Sequence, residues 1–171
     1  MPARRRPDAR ISMLHAVRAI KRGLAPIATI AIEGGLSADD IVQLLKQQMV
    51  AASTKLVQTS RGRSPNRSLV SAMTGLTRPE VRRVLESRID SRDLRTFKSS
   101  SRARRVVSRW NDEIKRRPSA RTLEVRPAGV FHQIVKESSG DVPARAMLDE
   151  LARLGWVKTT QDGKRVTLVG P

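Results

Sequence analysis

The stretch of residues 66–88, NRSLVSAMTGLTRPEVRRVLESR, constrains the fold of this chain more than any other segment. It predicts two short helices joined by a tight turn, because Gly75 tolerates the left-handed backbone that such a turn needs. Thr77 and Glu80 have the spacing of a capping box, and Pro79 fits the first turn of the second helix without the loss of a hydrogen bond. The pattern is typical of a helix-turn-helix, whose second helix lies in the major groove of DNA.

The two faces of the second predicted helix differ in chemistry. Apolar positions on both helices are spaced to pack against one another. They are Val81, Val84 and Leu85 on the second helix and Leu69, Val70 and Met73 on the first. The outer face of the second helix holds Thr77, Arg78, Arg82 and Arg83. Guanidinium groups pair bidentately with guanine edges or phosphates, so we expect these side chains to contact DNA. The alternative is a helical hairpin with a charged, solvated face.

The charge of the chain favours a polyanionic partner. Lys and Arg number 34 against 16 Asp and Glu, which gives a formal net charge of +18. Residues 1–66 carry 11 basic and 4 acidic side chains, residues 67–117 carry 15 and 6, and residues 118–171 carry 8 and 6. The positive charge therefore surrounds the predicted helix-turn-helix and largely spares the last third, which argues against a general effect on solubility. It predicts a broad basic surface that includes the loop 58–65 and the helix 102–117.

Residue types exclude several kinds of chemistry. The chain has no cysteine, so disulfides, thiolate metal sites and cysteine nucleophiles are excluded. Its only histidines are His15 and His132, too few for a multi-histidine metal site. No phosphate-binding glycine loop is present, and the acidic pairs at 112–113 and 149–150 are adjacent residues that point in different directions on a helix. We expect no metal, no cofactor and no enzyme activity.

No run of about 18 apolar residues and no secretion signal occurs, so we expect neither a membrane association nor export. A cytoplasmic, nucleoid location follows. Residues 1–7, with Arg4, Arg5 and Arg6 between prolines, predict a disordered basic arm that enters the minor groove or lies along phosphates. The alternative is a solubilising tail.

Residues 8–90 predict a helical helix-turn-helix domain. We expect one helix to start at Asp8, another to start at Pro26, and a third to run from Ser37 to about residue 57. The apolar positions expected to be buried on this third helix are Ile41, Leu44, Leu45, Met49, Ala52 and Leu56. Additional candidate DNA contacts are Arg61 and Arg63 in the loop 58–65 and Arg67 and Ser68 at the start of the motif.

The remaining chain predicts a linker at 91–101 and a winged-helix-like domain at 102–171. The expected elements are a helix at 102–117 anchored by Trp110, a short strand at 122–125, helices at 127–136 and 142–154, and strands at 156–160 and 164–169. Asp141 is the expected cap of the last helix, and QDG forms the turn of a small β-hairpin. Because that last helix has no net charge, we expect a structural or dimerising wing, with Lys158, Lys164 and Arg165 as backbone contacts. The predicted fold class is mainly α.

The chain resembles a bacterial family that is labelled a domain of unknown function and has a predicted regulator character. The stretches that carry the resemblance are LAPIATIAIEGGLSADDIVQLLKQQMVAAS, SLVSAMTGLTRPEVRRV and SGDVPARAMLDELARLGWVK. The resemblance covers nearly the whole chain and implies DNA binding through residues 77–88, with no enzyme activity and no known ligand. This chain differs in being more basic and in having Met49-Val50 where relatives tend to have an aromatic residue.

These observations favour a protein that binds double-stranded DNA, as a transcriptional regulator or a nucleoid-associated factor. A homodimer is expected because helix-turn-helix proteins usually read paired half-sites, and the low net charge of the last third favours that part as the interface. The alternative is an RNA-binding or ribosome-associated protein. The few aromatic residues of the chain lie in apolar stripes and offer no platform for stacking on single strands, which disfavours RNA binding.

Overall fold

The computed structural model describes residues 11–61, 66–86 and 101–170, without the side chains of residues 60 and 61. The predicted contacts at Arg4, Arg5, Arg6 and Arg63, the side chain of Arg61 and most of the predicted linker lie outside these residues. The described part is mainly helical, with seven α-helices and one small antiparallel sheet. The helices are α1 (Met13–Glu33), α2 (Ala38–Arg61), α3 (Arg67–Thr74), α4 (Arg78–Glu86), α5 (Arg102–Arg116), α6 (Val130–Ser139) and α7 (Ala144–Arg153). The strands are β1 (Thr122–Glu124), β2 (Val157–Thr159) and β3 (Arg165–Leu168).

Helix α1 is one continuous helix, which corrects two predictions. It begins at Met13 rather than at Asp8, because the hydroxyl of Ser12 caps it by accepting a hydrogen bond from the His15 amide. Pro26 lies inside the helix and does not start a new one. Proline removes one hydrogen bond of the helix, and here its position is exposed, so solvent can satisfy the carbonyl that loses its partner. None of the described helices is long and apolar enough to cross a membrane.

The predicted start of α2 is confirmed. The Ser37 amide and hydroxyl donate to Asp40 Oδ2 at 2.8 and 2.7 Å, and the Asp40 amide donates to Ser37 Oγ at 3.3 Å. This reciprocal arrangement satisfies amides that a helix N-terminus otherwise leaves without partners.

The predicted buried stripe of α2 is wrong for Leu45, Met49, Ala52 and Leu56, which are exposed, whereas Ile41 and Leu44 are half-buried. Leu45, Met49 and Leu56 are 48, 39 and 61% exposed, whereas Val50 and Val57 on the neighbouring face are buried. The cause is the packing of α3 and α4, which cover the face of Val50 and leave the more apolar stripe uncovered. Hydrophobic periodicity identifies an apolar face but not its partner.

Helices α2, α3 and α4 share a small core. It consists of Val50, Val70 and Val81, with Leu76 and Val84 packed against it. Met73 and Leu85, which the sequence places in this contact, are instead 44 and 39% exposed. Each of the two lies about one turn beyond the buried valine of its own short helix, where the partner helix does not cover it.

A larger core lies in residues 101–170, around Trp110 and Phe131. The Trp110 ring is fully buried, its Nε1–H donates to the Ala120 carbonyl at 2.7 Å, and its centroid lies 5.5 Å from that of Phe131. The hydrogen bond satisfies the polar atom that burial of a tryptophan removes from water. The prediction that Trp110 anchors this helix is confirmed.

The sheet has the order β1-β3-β2, with both neighbours antiparallel to the central strand β3. The predicted hairpin is β2–β3, and β1 extends it to three strands. Asp162 fixes the turn of this hairpin, because its carboxylate accepts hydrogen bonds from the Thr160 hydroxyl at 2.6 Å and from the Lys164 amide at 3.0 Å.

Three predicted boundaries in this part are wrong. Helix α6 begins at Val130 rather than at residue 127. Helix α7 begins at Ala144 after Pro143, so Asp141 does not cap it and pairs instead with Arg102 at 3.3 Å. Ser101, assigned to the linker, is buried and caps α5.

Candidate nucleic-acid interface

The turn between α3 and α4 is held by backbone conformation and by two hydroxyl groups. Gly75 ends α3 with a φ of 73°, and its amide donates to the Ser71 carbonyl at 2.9 Å. The Ser71 hydroxyl then donates to the Leu76 carbonyl at 2.6 Å, and the Leu76 amide donates to Thr74 Oγ1 at 3.3 Å. The predicted tight turn at Gly75 is confirmed. Its left-handed backbone is costly for any residue with a Cβ atom.

The capping box at the start of α4 is also confirmed. The amide and the hydroxyl of Thr77 donate to Glu80 Oε2 at 2.9 and 2.8 Å, and the Glu80 amide donates to Thr77 Oγ1 at 3.3 Å. The second carboxylate oxygen of Glu80 accepts a hydrogen bond from Lys46 Nζ at 2.8 Å. Glu80 therefore joins the N-terminus of α4 both to its own cap and to α2.

These contacts stabilise the ionised form of Glu80. The hydrogen bond from Lys46, followed by those from the backbone and side chain of Thr77, lowers the pKa of Glu80 from 4.5 to about 2. A carboxyl whose pKa is lower in the folded state stabilises the fold above its ordinary pKa. This contribution is lost as the pH falls from about 4.5 towards 2.

We expect the Glu80→Gln variant to show a weaker acid destabilisation than the unmodified chain. The amide cannot ionise, so between pH 5.5 and 2.5 the melting temperature should fall further in the unmodified chain than in the variant. Thermal unfolding followed by circular dichroism at both pH values measures this difference. Other carboxylates titrate equally in the two proteins, so parallel pH profiles would contradict the role of Glu80.

The outer face of α4 is exposed, as the sequence predicts, but its three arginines are not equivalent. Arg82 Nε donates to Glu86 Oε1 at 2.7 Å, and this contact raises the pKa of Arg82 above its ordinary value. Arg78 and Arg83 have no acidic partner among the described residues. Sequence reasoning missed Glu86, although the Arg82–Glu86 spacing of four residues on one helix indicates such a pair. Arg78 and Arg83 are thus the more available cations.

The other predicted contacts lie on separate elements. Arg67 and Ser68 are exposed in the first turn of α3, next to its cap Asn66, whose side chain accepts the Leu69 amide at 2.8 Å. Lys164 and Arg165 are exposed at the β2–β3 turn. They line an open depression with the acidic Glu124 and Asp162, which reduces the positive charge available there.

Most basic side chains of α5 are engaged within residues 101–170. The ion pairs are Arg102–Asp141 at 3.3 Å, Arg109–Glu137 at 3.2 Å, Lys115–Asp112 at 3.1 Å, Arg116–Glu113 at 4.0 Å and Arg117–Glu113. Arg105 donates to the Ser138 carbonyl at 3.0 Å, and Arg104 lies 5.2 Å from the centroid of the Trp156 ring. These contacts make α5 a smaller part of any basic surface than its composition indicates.

Comparison with known proteins gives a family without an assigned activity. The profile of the family described as "Family of unknown function (DUF6502)" matches residues 13–170, which include every described helix and strand. The chain belongs to this family. No curated protein and no solved structure matches the chain.

Membership in the family of unknown function brings no ligand to the site, so the chemistry of the site rests on its side chains. Within the described residues, no group of three or more His, Asp or Glu side chains is placed to hold a metal ion. What the site offers is a helix of nine residues with a basic face and a fixed N-terminus.

Proposed function

We propose that the protein binds double-stranded DNA through α3 and α4, which act as a helix-turn-helix with α4 in the major groove. The observation that carries this proposal is the exposed basic face of α4, where Arg78 and Arg83 have no acidic partner among the described residues. Guanidinium groups on a groove-bound helix pair with guanine edges and phosphates. A transcriptional regulator or a nucleoid-associated factor fits this chemistry.

The way in which α4 is held supports the proposal. Its nine residues span about 13 Å at ~1.5 Å per residue, which suits a groove ~12 Å wide. Its N-terminus is fixed by Glu80, which joins the Thr77 cap to Lys46 on α2. A rigid support limits the conformational freedom that binding would otherwise have to remove. The positive end of the helix dipole, beside Arg78, adds to the attraction of phosphates.

Additional phosphate contacts are proposed for the first helix and for basic segments near it. In a helix-turn-helix the first helix crosses the DNA backbone, which suits the exposed Arg67 and Ser68 at the start of α3. We include the basic residues outside the described side chains, which are Arg4, Arg5, Arg6, Arg61 and Arg63. Such contacts position the protein and release counterions, and they carry no sequence information.

We further propose that residues 101–170 form a winged-helix-like unit that does not read bases. The order α5-β1-α6-α7-β2-β3, with β3 central in the sheet, supports the likeness. On α7, Arg145 pairs with Asp149 at 3.4 Å and Arg153 pairs with Glu150 at 2.7 Å, which leaves little positive charge for a groove. Lys164 and Arg165 would contact the backbone.

The replacement of Arg78, Arg82 and Arg83 by alanine tests the proposal. At about 1 kcal/mol or more for each lost contact, the affinity for duplex DNA should fall by roughly 100-fold. If the three side chains contact phosphates, the slope of log affinity against log salt should also decrease by about 3. Binding titrations with duplex DNA, single-stranded DNA and structured RNA at two salt concentrations measure both effects.

A control with the same loss of charge separates the site from the net charge of the chain. Arg121, Lys136 and Arg145 are exposed and lie in residues 101–170, and their triple replacement by alanine should change duplex affinity much less. Equal effects of the two triple variants would show that α4 has no special role. Tighter binding to structured RNA than to duplex DNA would favour the RNA-binding alternative.

A further inference from the structure

Within the part of the chain that the structure describes, helices α1 and α2 each carry an apolar stripe that is largely exposed. The stripe of α1 consists of Met13, Val17, Ile20, Leu24, Ile27 and Ala31. The stripe of α2 consists of Ala38, Val42, Leu45, Met49, Ala52 and Leu56. Every one of these residues except Ala31 is exposed, with Met13 at 83%, Ile20 at 59% and Leu56 at 61%. Contiguous apolar surface of this extent marks an interaction site.

Both stripes have the spacing of a coiled-coil seam. Along each helix the apolar positions advance alternately by four and by three residues, which is the heptad pattern of two helices packed side by side. The pattern has the same length in α1 and in α2. Pro26 lies off the stripe of α1 and does not interrupt it. Each stripe is therefore built to pack against another long helix.

The two stripes match each other in an antiparallel arrangement. Paired in reverse order, every position of one stripe has a counterpart in the other. The two apolar positions of a heptad are called a and d, and each pair combines an a position of one helix with a d position of the other. The pairs are Met13 with Leu56, Val17 with Ala52, Ile20 with Met49, Leu24 with Leu45, Ile27 with Val42 and Ala31 with Ala38. Large side chains meet in the middle of the seam, at Ile20–Met49 and Leu24–Leu45, and the smallest pair lies at the end next to the α1–α2 connection.

Within one chain these pairs are not made, since Leu24 and Leu45 are 41 and 48% exposed. The end of α1 is held elsewhere: Arg153 Nη2 donates to the Ile32 carbonyl at 2.7 Å. A Cβ atom at Gly35 would lie 3.0 Å from the Leu154 side chain, so the α1–α2 connection is packed against the end of α7. These contacts fix the direction in which α1 leaves α2.

We propose that α1 of one copy packs on α2 of a second copy, and the reverse, to form a homodimer by helix exchange. A two-fold axis requires that if one residue contacts a second across the interface, the second also contacts the first. The α1–α2 match meets this condition, because a single set of pairs is used twice. A second copy supplies both stripes in the required length, direction and register.

The size of the contact suits a stable dimer. Helices of 21 and 24 residues are about 30 to 36 Å long. The twelve stripe positions of a chain, with the exposed residues beside them, approach the ~20 to 30 residues a side of a standard interface. Ala16, Gly23 and Ala28 flank the stripe of α1, and their small side chains permit close approach of the partner helix.

This interface differs from the one that the charge distribution favours, because it lies on α1 and α2 and not in the last third of the chain. It does not depend on DNA binding. The face of α2 that holds Val50 and Val57 remains covered by α3 and α4 in either case, so the two α4 helices of a dimer stay exposed. Dimerisation would then join two copies of the basic face.

The absence of native cysteine allows a direct test by disulfide cross-linking. A chain with Leu24→Cys and Leu45→Cys is oxidised without DNA and analysed by non-reducing electrophoresis and mass spectrometry. Helix exchange predicts a covalent dimer that reduction returns to monomer. An intrachain disulfide in a monomer would show that α1 folds back on its own α2, and a monomer with two free thiols would show that the seam is not formed. Either result overturns the proposal.

A matched control keeps the first cysteine and moves the second off the stripe. Ala51 is exposed on another face of α2, so Leu24→Cys with Ala51→Cys should give little covalent dimer. Equal yields from both variants would mean random collision and would also overturn the proposal.

Sedimentation supplies a second readout that needs no oxidation. Leu24→Glu with Leu45→Glu places carboxylates in the seam and should raise the dimer dissociation constant by at least about 100-fold. The near-ultraviolet signal of Trp110 and Trp156 checks that residues 101–170 remain folded. A dissociation constant equal to that of the unmodified chain would contradict the proposed interface.

Discussion

Replacement of Trp110 by alanine is expected to lower the free energy of unfolding of residues 101–170 by about 3 to 5 kcal/mol. The side chain is fully buried against Phe131 and fills the space between α5 and α6. Its loss leaves a cavity and removes the donor for the Ala120 carbonyl, which lies 2.7 Å from Nε1. Urea unfolding followed by circular dichroism measures the change. Trp156 remains as a fluorescence probe of the same core.

The Trp110→Phe variant separates packing from the hydrogen bond. A phenyl ring keeps much of the contact with Phe131 but cannot donate to Ala120, so we expect a smaller loss of about 1 to 3 kcal/mol. A loss as large as that of the alanine variant would assign the stabilisation to the hydrogen bond. A loss below about 1 kcal/mol in the alanine variant would contradict the central role of Trp110 in this core.

Local signals in the sequence predict the structure where a few neighbouring residues decide the outcome. Ser37 caps α2 and Thr77 pairs with Glu80 at the start of α4, both as predicted, because each cap satisfies an amide only three residues away. The turn at Gly75 forms because only glycine adopts its backbone without strain. The start of α4, and with it the position of the candidate site, could therefore be predicted from the sequence.

Contacts between distant segments could not be predicted in this way. On α2, the exposed stripe that includes Leu45 and the buried face of Val50 both have helical spacing, so periodicity alone could not tell which of them α3 and α4 cover. The sequence predicts burial of the more apolar stripe, and the exposure of that stripe identifies it as the proposed surface for a second copy. A stripe intended for another chain and a stripe intended for the core look the same in one sequence.

The distribution of charge is subject to the same limit. Arg109 is paired with Glu137, which lies on another helix, and Arg102 is paired with Asp141. Neither pair can be recognised from spacing along a single helix. Counting basic residues therefore overstates the cationic surface of α5, whereas Arg78 and Arg83 have no acidic partner among the described residues.

Replacement of Val81 by aspartate is expected to disrupt the packing of α4 on α2. If the protein functions as proposed, the variant should also lose its binding to duplex DNA. Val81 is fully buried in a small core whose other buried members, among the residues that the structure describes, are Val50 and Val70. An unpaired carboxylate there should cost more than about 3 kcal/mol, which so small a core cannot offset. Hydrogen exchange should increase in residues 67–86 while Trp110 and Trp156 keep their native fluorescence, because they lie in the separate larger core.

The Val81→Ala variant calibrates this effect. It removes two methyl groups without burying a charge, so we expect a loss of about 2 kcal/mol and a duplex affinity close to normal wherever α4 remains folded. Together the two variants separate the packing of α4 from the chemistry of its outer face, since neither changes an arginine. Full duplex affinity in the Val81→Asp variant, with residues 67–86 shown to be unfolded by hydrogen exchange, would mean that DNA binds elsewhere on the protein. The same affinity with normal exchange would mean that the core tolerates the charge.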